Sequence, residues 1–95
     1  MKISVKDVTK NTLSNSDGVQ LQSAIDSALA ADDQVSLSFH DVHTISSSFL
    51  NSSLGNIIDK YGFDILSKIK IIDYTSTIAT FLKNYIADLK ALSTN

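Results

Sequence analysis

The chain predicts an α/β domain with a three- to four-stranded mixed sheet and helices on one face. Three observations predict it. Val35, Leu37 and Phe39 alternate with Ser36, Ser38 and His40, and Ile69 and Ile71 alternate with Lys68 and Lys70. Alternation of this kind is the period-two mark of a half-buried strand. Between and after these strands, apolar residues recur at helical spacing. Strands separated by helices imply parallel neighbours and right-handed crossovers. Strands covered on both faces would read as unbroken apolar runs. The alternating serines and lysines therefore leave one sheet face open, which argues against a doubly wound nucleotide fold.

The elements follow in order. Ile3 and Val5, set against Lys2, Ser4 and Lys6, read as a first strand with one wet face. Residues 9–16 are polar and turn-rich, and Thr12-Leu13 offers a short extended piece. A first long helix then starts with Ser16 or Asp17 as N-cap. Its buried stripe is Leu21, Ala24, Ile25, Ala28 and Leu29, and it stops near Ala30, before Asp32-Asp33. Acidic residues at a helix C-terminus oppose the dipole.

The strand at 35–40 leads through a turn to a second helix over 48–61. Its stripe is Leu50, Leu54, Ile57, Ile58 and Tyr61, with Gly62 as the C′ residue. Residues 63–67 connect to the strand around Ile69 and Ile71. Asp73 to Ser76 caps a last helix with the stripe Ile78, Phe81, Leu82, Tyr85, Leu89 and Leu92, and the tail Ser93-Thr94-Asn95 is polar.

Composition bounds the function. A chain of 95 residues is one domain, residues 1–95, able to hold one core without staples. Cysteine is absent, so no disulfide or thiolate metal site contributes. No apolar run reaches membrane-span length, and the N-terminus lacks a signal-peptide pattern. The expected location is the cytoplasm. Net charge is −2, the eight basic residues are all scattered lysines, and arginine is missing. Arginine is the preferred side chain for phosphate and guanine forks, so nucleic-acid binding is not expected.

The chemistry concentrates at Ile45-Ser46-Ser47-Ser48-Phe49-Leu50, where a strand and turn deliver three serines to a helix start. A helix start carries unpaired N–H groups and partial positive charge. One serine suffices as N-cap. No Glu or Gln stands three residues on, so there is no capping box. A phosphoserine is the other use of such a hydroxyl, adding about −1.5 to −2 charge.

His40, Asp41 and His43 stand at the end of the strand. An H-x-x-H spacing with one carboxylate lacks a third strong ligand, so no metal is expected. A polar rim sensitive to pH near 6–7 is the plainer reading. No nucleophile elbow, P-loop or dinucleotide fingerprint occurs, since the only glycines are Gly18, Gly55 and Gly62. No catalytic activity and no cofactor are expected.

The element order, one-sided sheet and strand–serine-turn–helix motif resemble STAS domains, the sulfate-transporter and anti-sigma-factor-antagonist fold. The chain is most similar to compact bacterial STAS-like proteins with an Ile-Ser-Ser-Ser-Phe-Leu signature. Leu54-Gly55 and Tyr61-Gly62 add to the match. Set on the antagonist pattern, Ser47 takes the place of the phosphorylated serine and Ser48 that of the second serine. Ser46 replaces an aspartate, and Phe49 replaces a glycine, making the turn bulkier.

The resemblance implies a non-catalytic interaction module, with serine phosphorylation in the turn as its switch. Its implied partner is an anti-sigma factor or histidine-kinase-like ATPase, with a serine kinase acting on the turn. The expected partner surface is His40, Asp41, His43, Thr44, Ser46, Ser47, Ser48, Asn51 and Ser52. Alternatives from other classes are a small-ligand or metal domain using the His40/His43 rim, and a constitutive structural subunit without a switch.

Overall fold

Three parallel strands form the sheet: β1 (Lys2–Ser4), β2 (Val35–Ser38) and β3 (Ile69–Ile72), in the order β1-β2-β3. The protein is described by a computed structural model covering residues 1–9, 14–32 and 34–93. The expected mixed sheet is corrected: every strand pairing among the described residues is parallel, and no fourth strand is found there. Each strand is joined to the next through helices, so parallel pairing follows from the connections. The Thr12-Leu13 piece, Asp33 and the Thr94-Asn95 tail lie outside the described residues.

Register gives the sheet two unlike faces. Ile3, Leu37 and Ile71 are partners in one row, and Lys2, Ser36 and Lys70 in the next. Ile3, Val35, Leu37, Phe39 and Ile69 are buried in one core with residues from the helices. Lys2 and Lys70 are exposed on the other face. Helices thus cover one face, as the alternating strands predict.

β1 is shorter than expected. It ends at Ser4, and Val5 opens a one-turn helix, α1 (Val5–Val8). Val5 is nonetheless buried, because a helical turn at the strand's end still directs it to the core.

α2 (Asn15–Ala31) is capped by Ser14, two to three residues earlier than expected. The Ser14 hydroxyl oxygen accepts from the Asp17 amide at 3.2 Å, and the Ser14 hydroxyl donates to the Asp17 carboxylate at 2.6 Å. Asp17 therefore sits inside the first turn, where the helix dipole favours its charge. Leu21, Ile25 and Ala28 are buried along the helix.

The second helical run is unbroken from 47 to 61 but not uniform. It comprises α3 (Ser47–Leu50), a π turn (Asn51–Gly55) and α4 (Asn56–Tyr61). Phe49, Leu50, Leu54, Ile57 and Ile58 are buried. Tyr61, expected in that stripe, is 43% exposed. Its hydroxyl instead donates to Asp26 on α2, beside the Lys60 ammonium at 3.1 Å from the same carboxylate. Gly62 ends the run at φ 87, a left-handed conformation open to glycine.

A 3-10 turn (Phe63–Lys68) leads into β3, and α5 (Ser76–Ser93) closes the described chain. Thr75 caps α5, its hydroxyl oxygen accepting from the Ile78 amide at 3.2 Å. Ile78 and Leu82 are buried, and Phe81, Tyr85 and Leu89 pack partly against the core. Leu92 is 74% exposed, because it lies a turn beyond the last core contact.

α2 and the central run meet at glycine. A Cβ added to Gly18 would stand 2.5 Å from the Phe49 carbonyl oxygen and 2.6 Å from the Ser52 Cβ. In a free helix, Gly→Ala would gain about 1 kcal/mol. Here backbone must move instead, so Gly18→Ala is expected to cost roughly 1–3 kcal/mol net. A urea melt showing stabilisation would mean that the two helices do not touch at this point.

Asp26 yields a pH prediction. The Tyr61 hydroxyl and the Lys60 ammonium hold its carboxyl below the usual carboxylate range. A carboxylate depressed in the folded state stabilises above its unfolded pKa and loses that contribution as pH falls through its folded pKa. The advantage of the native protein over Asp26→Asn should therefore be full above about pH 4–5 and shrink on acidification. It should be small, because the bridge is largely solvated. Denaturant midpoints at several pH values read it directly.

Candidate functional site

The site is built where β2 runs out. The Phe39 amide makes a last ladder bond to the Ile72 carbonyl at 3.0 Å, and the Val42 amide then folds back on the Phe39 carbonyl at 3.0 Å. Asp41 takes φ 60 in this tight turn, a left-handed position that aspartate tolerates better than most side chains. Val42 and Ile45 are buried and pin the segment at two points. Between and around them His40, Asp41, His43 and Thr44 are exposed.

The serines then divide the work. Ser46 is extended at φ −109, ψ 161, and its hydroxyl oxygen accepts from the Phe49 amide at 3.0 Å. It is the N-cap. Ser47 and Ser48 occupy the first helical positions and are exposed, while Phe49 and Leu50 are fully buried. Phe49 does not enlarge the turn as the sequence suggested; the helix start rotates its ring into the core.

Electrostatics at the rim are set by Asp41. The Lys6 ammonium donates to its carboxylate at 3.1 Å, and His40 Nε2 lies 3.6 Å away. The Lys6 hydrogen bond, with the His40 charge next, holds Asp41 below the usual carboxylate range. The His40 imidazole thus lies beside a carboxylate, while its backbone amide donates to the Ser38 hydroxyl oxygen at 3.4 Å. Among the described residues, no group of three or more His, Cys, Asp or Glu side chains is placed to hold a metal ion.

Asn51 and Ser52 are committed elsewhere. The Tyr85 hydroxyl on α5 donates to Asn51 Oδ1 at 2.7 Å, and the Ser52 hydroxyl donates to Asn15 Oδ1 on α2 at 2.9 Å. The π turn thereby binds one neighbouring helix on each side. Partial burial of Tyr85 pushes its hydroxyl pKa up. The structure gathers His40, Asp41, His43, Thr44, Ser46, Ser47 and Ser48 on the segment from the end of β2 to the helix start. Asn51 and Ser52 serve as tethers to neighbouring helices.

Sequence reasoning missed a second polar arrangement on the open sheet face. A groove of about 710 Å³ there is lined by Lys2, Ser4, Asp7, Ser38, His40 and Asp73, among others. The Ser38 hydroxyl, in a residue 2% exposed, donates to the Asp73 carboxylate at 2.7 Å. The Lys2 ammonium is 3.9 Å from that carboxylate, and Asp73 takes φ 58. The available signal was an aspartate just beyond each of two parallel strands, Asp41 after β2 and Asp73 after β3.

The cap assignment separates the serines energetically. Ser46→Ala should cost about 1 kcal/mol, whereas Ser47→Ala should change stability by less than about 0.5 kcal/mol. Chemical denaturation of the two variants checks this; equal losses would place the cap elsewhere.

No helix among the described residues is long and apolar enough to cross a membrane. No curated protein and no solved structure matches the chain significantly. The family described as a STAS-like domain of unknown function matches residues 17–79. That span begins in the first turn of α2, includes β2, the serine turn, the π turn and β3, and ends within α5. With β2, β3 and the serine-capped helix inside that span, the chain belongs to the family of STAS-like domains of unknown function.

Proposed function

We propose that this protein is a non-catalytic, cytoplasmic interaction module of the anti-sigma-factor-antagonist kind, switched by phosphorylation of Ser47. The observation that carries the reading is the division of labour among the serines. Ser46 satisfies the helix cap, so Ser47 is exposed without being needed for it. Ser47 also stands where the antagonist pattern has its phosphoacceptor.

The chemistry belongs to the partner. A serine kinase of the histidine-kinase-like ATPase type would transfer the γ-phosphoryl of ATP to the Ser47 oxygen, releasing ADP and a proton. The phosphoserine carries about −1.5 to −2 charge. The helix N-terminus tolerates that charge within this chain. A partner packed over His40, His43, Thr44 and Ser48 would instead have to desolvate it, and association would weaken. The switch thus acts on binding and not on the fold.

The partner is first captured from the native host with and without ATP and identified by mass spectrometry, which also locates phosphosites. Calorimetry then compares variants. Ser47→Asp should weaken association by roughly tenfold or more, as a new uncompensated charge at an interface does, and its thermal stability should hold or rise slightly. Ser47→Ala should bind like the native protein and resist the kinase. Equal binding by the Asp and Ala variants would remove the switch from this reading.

A further inference from the structure

We propose that the cavity between α5 and β3 is a binding site for a compact, uncharged, apolar molecule of about benzene size. None of its walls belongs to the serine turn, so the inference does not depend on the Ser47 switch.

The cavity holds about 150 Å³ and is lined by Leu54, Leu66, Ile69, Ile71, Leu82 and Ile86. The π turn, the 3-10 turn, β3 and α5 supply these walls. Its place in the fold follows from the sheet. β3 is the last strand in the sheet order, so beyond Ile69 and Ile71 the core is closed by α5 and the 3-10 turn. They meet there through Leu and Ile side chains, with no aromatic ring among them to span the gap. Leu54, Ile69 and Leu82 are buried, whereas Leu66, Ile71 and Ile86 are half-buried. The cavity thus runs from the core towards the surface, and side-chain rotamer changes at its outer end suffice to admit a small molecule.

The walls decide the occupant. No lining side chain can form a hydrogen bond. At about 30 Å³ each, roughly five waters would fit, but without the polar partners that buried water needs. An apolar cavity of similar size lined by Leu, Ile and Phe stays dry and takes up benzene. A charged or strongly polar molecule would lose its hydration there without compensation. Length is limited too. The Tyr85 hydroxyl, 2.7 Å from Asn51 Oδ1, lies against Gly55, where an added Cβ would meet it at 2.6 Å. Along both helices this contact falls between Leu54, Leu82 and Ile86 of the cavity and Ile58 and Leu89 of the neighbouring groove. A long acyl chain could not run from one into the other without breaking it.

An unfilled gap forfeits dispersion contacts along its lining, and a guest of matching size restores them. The guest also bridges Leu54 in the π turn to Leu82 and Ile86 in α5. It adds to the Tyr85–Asn51 tether between the same two elements.

Thermal denaturation of the full chain in a benzene series tests this. Benzene about fivefold above its Kd should raise Tm by roughly 4–8 °C, and methyl NMR should show its shifts at the lining residues. Phenol, whose hydroxyl would go unpaired, should bind roughly tenfold more weakly or worse. Ile86→Phe puts a ring into the gap from α5. Its Tm without benzene should hold or rise, and the response to benzene should be lost. Leu66→Phe fills the gap from the 3-10 turn and serves where Ile86→Phe does not fold. No rise in Tm up to the solubility limit of benzene overturns the proposal. So do methyl shifts confined to the groove at Ile58 and Leu89, or a benzene response that survives in the folded phenylalanine variants.

Discussion

The contact on which the rest of this structure depends is the backbone approach of α2 to the central helical run at Gly18. There the absent Cβ leaves room for the Phe49 carbonyl, with the space that remains too small even for a methyl group. That closeness lets Leu21 and Ile25 share one core with Phe49, Leu50 and Leu54. Polar tethers then repeat along the same seam. Asn15 accepts from Ser52, Gln22 from Asn56, and Asp26 from Lys60 and Tyr61. They stand about two turns and then about one turn apart on α2, a spacing that keeps them on one face of the helix. Individually they are worth little in water. Together they fix the register of two helices whose apolar stripes alone would allow sliding.

The same contact accounts for the position of the serine turn. The Phe49 carbonyl faces Gly18, so the residue that precedes the seam, Ser48, and the one before it, Ser47, are carried out to the helix start and into solvent. Ser46 then satisfies one of the helix's orphan amides, that of Phe49. A π turn follows at once, where Tyr85 of α5 reaches Asn51 and the Ser53 hydroxyl donates to the Phe49 carbonyl at 2.8 Å. Wide turns of this kind occur often beside functional segments. Here one joins α2 on one side to α5 on the other, immediately behind the exposed hydroxyls. A charge gained at Ser47 would thus fall on a helix start held from both sides. That arrangement favours a change in what the surface binds over a change in shape.

The sheet presents a different balance. Its covered face follows from alternating apolar residues and needs nothing else. Its open face is organised by polar groups that look unremarkable one at a time. Ser38 is a strand serine and Asp73 a residue in a connector. Folding puts the buried hydroxyl of one on the half-exposed carboxylate of the other and stretches Lys2 across from the far strand. The left-handed backbone at Asp41 and Asp73 lets both β2 and β3 end in abrupt turns, each with a carboxylate at the strand's C-terminal end. Such ends are where parallel sheets usually present their polar groups to ligands and partners.

Much of this was legible in the chain. Period-two alternation located β2 and β3, and helical stripes located α2, the central run and α5, because side-chain periodicity is a local property set by backbone geometry. The serine turn and the family resemblance were legible for the same reason: contiguous residues carry them. Tertiary structure decided the rest. Whether Ser14 or Ser16 caps α2 depends on which hydroxyl reaches an amide in three dimensions. Tyr61 left its predicted stripe because Asp26, 35 residues away, offered its hydroxyl a partner. Leu92 stayed exposed because the core ends before it. Asn51 and Ser52 fall on the polar side of the helix by sequence, yet α5 and α2 arrive there. Ser38, Asp73 and Lys2 meet only when three strands take their register. A sequence records the period of each element, but long-range contacts decide what stands opposite each face.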